Sequence, residues 1–162
     1  KKITFILFAL IAGTTFAQTT AEAIASADIV SPLTITKAAD FNFGKVSNVT
    51  GGTVTIDPDN SLNASSDAVF IGSNTLTAAS FTVTATDTYA YTVNLGGDIT
   101  LTNQAVGNGG ETMLVTDLNH NSTEEGVLSG TETFGVGGTL TVAAGKIPGH
   151  YEGTMTVGVS YI

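Results

Sequence analysis

The densest run of reactive side chains is Asp117-Leu-Asn-His-Asn-Ser-Thr-Glu-Glu125. Asp117, Asn119 and Asn121 place oxygen atoms at alternate positions, with Glu124 and Glu125 just after, as a calcium loop does. Ser122 stands where the sharp-turn glycine of such a loop belongs, and Leu128 where its bidentate glutamate belongs. Calcium therefore stays an open reading of this stretch. The same run holds an acid, an imidazole and a hydroxyl in Asp117, His120 and Ser122. A hydrolytic triad fixes its nucleophile by a base and an orienting acid, usually from different elements. No Gly-x-Ser-x-Gly elbow occurs, and the stretch reads as a polar hairpin loop.

The other candidates resolve into turns and packing. His150 reads as a solvated turn residue before the last strand, and Asp57-Pro-Asp-Asn60 as a turn. Asn48-Val-Thr50, Asn63-Ala-Ser65 and Asn121-Ser-Thr123 have glycosylation spacing, which chance supplies readily in a chain rich in Asn, Ser and Thr. Tyr89, Tyr91, Tyr151 and Tyr161 could form an aromatic sugar platform. Tyr91, Tyr151 and Tyr161, however, stand in register with apolar neighbours, which favours packing. Neither a phosphate-binding Gly-x-x-x-x-Gly-Lys loop nor a dinucleotide fingerprint is present. The expectation is a non-enzymatic protein with no catalytic, cofactor-binding or metal-ligating residue assigned.

The elements around these residues read as strands. Three segments share one phrase: Gly52-Thr-Val-Thr-Ile56, Gly138-Thr-Leu-Thr-Val142 and Gly153-Thr-Met-Thr-Val157. Phe81-Thr-Val-Thr-Ala85 keeps the alternation without the glycine. Successive side chains of a strand face opposite ways, so Val54 and Ile56 enter a core while Thr53 and Thr55 face outward. Threonine, β-branched and polar, suits the outer face of a half-buried sheet. Further strands are predicted at Phe41–Phe43, Ala68–Ile71, Ser80–Ala85, Tyr89–Leu95, Ile99–Leu101, Thr112–Val115, Thr131–Gly135 and His150–Tyr161. Turn signals such as Gly51-Gly52, Gly96-Gly97-Asp98 and Asn108-Gly109-Gly110 separate them. Ala21–Ala27 is alanine-rich, but its alternation up to Ile29 favours an extended lead-in strand over a helix, ahead of Pro32. The last two Gly-Thr phrases flank a short turn, which predicts a terminal hairpin. The phrases recur at unequal intervals, so they are strands built alike rather than a solenoid repeat.

Lys1 and Lys2, the apolar run Ile3–Ala12 and the small residues of Thr15-Phe-Ala17 read as a cleavable signal peptide over residues 1–17. The run is shorter than the roughly 20 residues that span a bilayer. Its removal leaves 145 of the 162 residues, with Lys37, Lys45 and Lys146 as the only cations against 14 acids, a net charge of −11. That balance excludes nucleic acid as a partner, since phosphate binding depends on Lys and Arg. Cysteine is absent, so packing and sheet hydrogen bonds must hold the fold.

Ile29-Val-Ser-Pro-Leu-Thr-Ile-Thr36, Asp40-Phe-Asn-Phe-Gly44 and Gly52-Thr-Val-Thr-Ile56 resemble the opening of the exported bacterial domains of unknown function of the DUF4402 type. Ala79–Ala85 with Tyr91-Thr-Val93 is similar to their middle. Val136–Val142 followed by Gly149-His-Tyr-Glu-Gly-Thr-Met-Thr-Val157 resembles their ending. More distantly, the opening and ending resemble archaic chaperone–usher pilins and spore-coat-U-like domains. Those are incomplete immunoglobulin-like sandwiches completed by a neighbour's N-terminal strand.

The resemblance implies an all-β fold: one antiparallel, immunoglobulin-like (pilin-like) β-sandwich over residues 31–162, preceded by a lead-in or donor-like strand at residues 18–30. The expected function is that of a secreted or cell-surface structural or adhesive subunit, polymerising by strand exchange with copies of itself or other surface subunits. The mature chain would not span a membrane, and would be extracellular, on the outer surface, or periplasmic. The alternative is a self-complete, monomeric module binding a carbohydrate or a calcium-dependent ligand. Its site would be the long loops around residues 103–110 and 117–126.

Overall fold

A computed structural model describes residues 19–64, 75–105, 107, 110–123 and 127–162. The signal-peptide segment and the strand expected at Ala68–Ile71 lie outside the described residues. Every regular element described is a strand: β1 (Thr34–Ala39), β2 (Gly52–Ile56), β3 (Leu62–Ala64), β4 (Ala79–Leu95), β5 (Ile99–Asn103), β6 (Thr112–His120), β7 (Val127–Val142), β8 (Tyr151–Glu152) and β9 (Val157–Tyr161). All pairings between them are antiparallel. The strand order is β1-β4-β7-β6-β5-β8; β2 joins β7 and β3, and β9 joins β4.

The alternation in the Gly-Thr phrases does what the pleat requires. Val54 and Ile56 are buried, as are Leu140 and Val142. Thr55 and Thr139 face each other on the opposite side, with hydroxyls 2.9 Å apart. Thr82 and Thr133 repeat that pair at 2.9 Å. Cross-strand threonine pairs of this kind add a few tenths of a kcal/mol each, on the order of the usual same-face contribution. The first two phrases are in fact partners: Gly52 lies opposite Val142, Val54 opposite Leu140 and Ile56 opposite Gly138.

β7 is the spine of the molecule. Its first ten residues pair with β4 and its last five with β2, while β6 runs along its other side. Two apolar clusters form along it. One gathers Phe43, Val54, Ile56, Ile99, Val115, Leu140 and Val142. The other gathers Val83, Tyr91, Val93, Leu128, Phe134 and Val136. Phe41 and Met155 touch both.

Four expectations need correction. The terminal hairpin does not form: Gly138–Val142 is taken by β2 and β6, and the last strand pairs with Tyr91–Leu95 of β4 instead. The predicted strand His150–Tyr161 breaks over 153–156, leaving β8 and β9 with different partners. Phe41–Phe43 contributes a single bridge, Asn42 to Thr77, because Asn42 Oδ1 turns back to accept the Gly44 N–H at 2.8 Å. Residues 19–33 form no strand among the described residues: 19–30 are exposed, while Ser31 is held by Tyr161 and Leu33 packs against the second apolar cluster.

In the other direction, pairs of predicted strands merge. Ser80–Ala85 and Tyr89–Leu95 are halves of β4, which stays continuous through a register shift between Ala85 and Tyr89. Thr131–Gly135 and Gly138–Val142 are halves of β7. Gly135 and Gly137 do not end that strand. They clear its outer face so that the Asp57–Asn60 turn can cross it. A Cβ on Gly135 would fall 1.9 Å from the Pro58 carbonyl oxygen, and one on Gly137 would fall 2.5 Å from that of Ile56.

Candidate functional site

Within the run singled out for its chemistry, residues 117–120 form the bulged end of β6 and 121–123 continue into the loop after it. β6 and β7 hold register at Thr116–Thr139 and again at Asn119–Gly137, so β6 carries one extra residue between them. Asp117 absorbs it with φ at 53°, a left-handed conformation that Asp tolerates better than most residues. Asp117 Oδ2 accepts a hydrogen bond from Thr116 Oγ1 at 3.1 Å. Asn121 Oδ1 accepts the Gly135 N–H at 2.7 Å. Two of the three alternating oxygen positions are thus engaged within the fold, while Glu124 and Glu125 lie outside the described residues. Among the described residues no three His, Asp or Glu side chains gather as metal ligands do.

The hydroxyl and imidazole of the run belong to a polar cluster centred on Glu132 of β7. The Tyr91 hydroxyl donates to Glu132 Oε2 at 2.6 Å and lies 2.9 Å from Ser122 Oγ. Glu132 Oε1 accepts the Thr123 N–H at 2.8 Å and the Thr123 hydroxyl at 3.1 Å. Burial pushes the Glu132 carboxyl up, but the bonds from Tyr91 and Thr123, with His120 nearby, outweigh it and hold the carboxyl below its ordinary range. His120 meets the Phe134 ring edge-on at 6.0 Å. Ser122 is therefore held by a phenol, and the ionised carboxylate is held by neutral donors that stabilise its charge. This cluster staples the loop after β6 onto β4 and β7.

The remaining candidates are also structural. Asp59 caps its own turn by accepting the Ser61 N–H at 2.8 Å, and hydrogen bonds from Ser61 lower its carboxyl pKa. Asn60 Oδ1 accepts the Ala78 N–H at 2.8 Å. Asn48 Nδ2 donates to the Lys146 carbonyl at 2.6 Å. The Tyr151 hydroxyl donates to the Ile147 carbonyl and the Tyr161 hydroxyl to the Ser31 carbonyl, each at 2.7 Å. His150 is exposed and lies 4.0 Å from Glu152. Asn63 lies on β3, Tyr89 on β4, and their side chains are outside the described set.

The feature that sequence reasoning missed is a groove of about 1110 Å³ running beside the first apolar cluster. Its floor holds Phe41, Phe43, Met113, Val115, Leu140 and Met155. The Phe41 and Phe43 rings lie 4.7 Å apart, tilted by 36°, within the Asp40–Gly44 motif, and line the groove rather than extend a sheet. Lys37, Lys45 and Lys146 all line it as well. Nothing in their spacing announces this; only the fold brings them together. Open strand edges border it at β1 and β8. Among the described residues β1, β3, β8 and β9 each pair on one side only. A β1 edge carrying Lys37 and a register shift between Lys37 and Ala39 is poorly suited to indiscriminate pairing.

Fold and site together define an all-β, antiparallel protein whose distinctive surface is an apolar groove with open strand edges. Its sequence matches the family described as "Domain of unknown function (DUF4402)" over residues 33–161. The chain belongs to that family. A search of curated proteins finds no match. Among the described residues no helix is long and apolar enough to cross a membrane.

Proposed function

We propose that this chain is an exported structural or adhesive subunit of the cell surface, an immunoglobulin-like, pilin-like sandwich that associates with copies of itself by exchanging its N-terminal segment. The observation that carries this reading is the state of residues 19–30. Among the described residues the segment has no sheet partner, and it leaves Ile24 98% and Ile29 97% exposed. Apolar side chains held in water beside a fold with open edges are the ingredients of strand addition. Residues 1–17 supply the export signal in this reading.

Size-exclusion chromatography of residues 18–162, with and without 18–28, tests it. Oligomers or filaments that vanish on truncation are the expected result. A monomer in both forms would overturn the reading in favour of a self-complete ligand-binding module, for which the groove would be the site.

A further inference from the structure

We infer that Lys146 and Asn103 are the two ends of an intramolecular isopeptide bond, which the folded chain forms by itself with Glu111 as the acid–base residue. The bond is independent of strand exchange, and the success or failure of either leaves the other untouched.

The fold leaves one buried amide half-used. Asn103 ends β5, only 2% exposed and on the same face as the buried Ile99. Its Oδ1 accepts the Ala105 N–H at 2.9 Å, but its Nδ2 has no hydrogen-bond partner among the described residues. A buried donor without a partner is costly, and a fold that keeps one calls for a reason.

Strand register puts a carboxylate beside that amide. Thr102 lies opposite Thr112, and the Asn103 N–H donates to the Glu111 carbonyl at 2.9 Å, so Asn103 and Glu111 are the next opposed pair. Opposed residues share a face, with Cβ atoms about 4.5–5.5 Å apart. The segment 145–149 folds over the same place. It is fixed by the Gly145 N–H on the Asn48 carbonyl at 2.7 Å, by Asn48 Nδ2 on the Lys146 carbonyl at 2.6 Å and by the Tyr151 hydroxyl on the Ile147 carbonyl at 2.7 Å. Gly149 lies against the Asn103 amide, so that a Cβ there would fall 2.6 Å from both Oδ1 and Nδ2. Three residues earlier, Lys146 Nζ meets Glu111 Oε2 at 2.9 Å, the two side chains 22% and 35% exposed. An amine, a carboxylate and a buried amide are thereby gathered under one short segment.

Those three groups suffice for an amide exchange. Nζ passes a proton to the Glu111 carboxylate, and its freed lone pair attacks Asn103 Cγ. The negative charge that develops on Oδ1 faces the Ala105 N–H, which already donates to that atom. Glu111 hands its proton to Nδ2 and takes another from Nζ. The Cγ–Nδ2 bond then breaks, the Nζ–Cγ bond remains, and Nδ2 leaves as ammonia, which collects the proton from Glu111. A lysine ammonium and a carboxamide enter; a secondary amide and one ammonium ion come out, with nothing oxidised or reduced. Because Nδ2 is bound to nothing in the fold, its departure breaks no hydrogen bond there. In a chain without cysteine the product is a covalent tie between the end of β5 and the segment after β7.

Peptide mass mapping of the purified, folded full chain tests the bond. A glutamyl endopeptidase cuts after Glu132, between the two residues, so the bond appears as one branched peptide joining Asn103 to Lys146. That peptide is lighter by one ammonia than its two parts together. Mass loss from the intact chain is not the criterion, because an Asn-Gly pair such as Asn108-Gly109 can also shed ammonia. Lys146→Arg keeps a cation for Glu111 but offers no amine to acylate, and should give two separate peptides. Glu111→Gln keeps the side-chain shape and removes the base, and should lower the linked fraction of freshly purified chain about ten-fold or more. Melting curves establish that both variants fold. Separate peptides from the wild-type chain, with Lys146 unmodified, would overturn the bond whatever the variants do. A branched peptide undiminished in Glu111→Gln would overturn the role of Glu111.

Discussion

Replacing Tyr91 by Phe isolates one hydrogen bond in the cluster that fastens the loop after β6. The ring is fully buried in the second apolar cluster, and Phe preserves it. What is lost is the hydroxyl that donates to Glu132 at 2.6 Å and meets Ser122 at 2.9 Å. A hydrogen bond to a charged group contributes about 1.5–3 kcal/mol, and a neutral one about 0.5–1.5 kcal/mol. Glu132 is half-buried, so water can replace part of the interaction, which argues for the low end, about 1.5 kcal/mol near pH 7. Because the Glu132 carboxyl is held below its ordinary 4.5, the charge-dependent stabilisation is complete above that value. It is lost as pH falls through the lower, folded-state value. Urea denaturation of wild type and Tyr91→Phe should therefore show a clear gap in midpoint near pH 7 that narrows at a pH low enough to protonate the folded-state carboxyl. An equal gap at both pH values would refute the charge-assisted bond, and no gap at either would refute the contact itself.

Two further outcomes follow from packing. Gly135→Ala should cost about 1–3 kcal/mol or more in a thermal melt, because its Cβ would fall 1.9 Å from the Pro58 carbonyl and the Asp57–Asn60 turn must lift. A substitution without effect would mean that the turn does not cross the strand there. Val157→Asp should lower stability by at least about 1.5 kcal/mol, since it sets a carboxylate against the second cluster opposite Leu95. A melt matching wild type would remove β9 from that position.

Side-chain alternation made the strands readable, and threonine marked the outer face at Thr55, Thr139, Thr82 and Thr133. Pairing was less readable, because alternation says which face is buried and nothing about which neighbour is beside it. Proximity in sequence favoured Gly138–Val142 with Gly153–Val157. In the fold, the intervening residues are instead tied back to the 48 region by the Gly145 N–H to the Asn48 carbonyl at 2.7 Å, and the next strand is delivered to β5. Glycine misled at Gly135 and Gly137, where it marks a close crossing rather than an end. The bulge at Asp117 did leave a trace. Burial shifts parity from Met113 and Val115 to Leu118, as an inserted residue requires, although the exposed Leu114 blurs that shift in the sequence. The groove left no such trace, because Lys37, Lys45 and Lys146 converge only through long-range pairing.

The position of β7 governs the order in which the molecule can be made. Each apolar cluster depends on it, one through Leu140 and Val142 and the other through Leu128, Phe134 and Val136. Its partners are far back in the chain: Phe134 lies opposite Phe81, and Leu140 opposite Val54. The first cluster cannot close until residue 142 has been synthesised, nor the second until residue 136, so the nascent chain stays unfolded through most of its length. Folding then begins late and depends on long loop closures, which places it among the slower topologies.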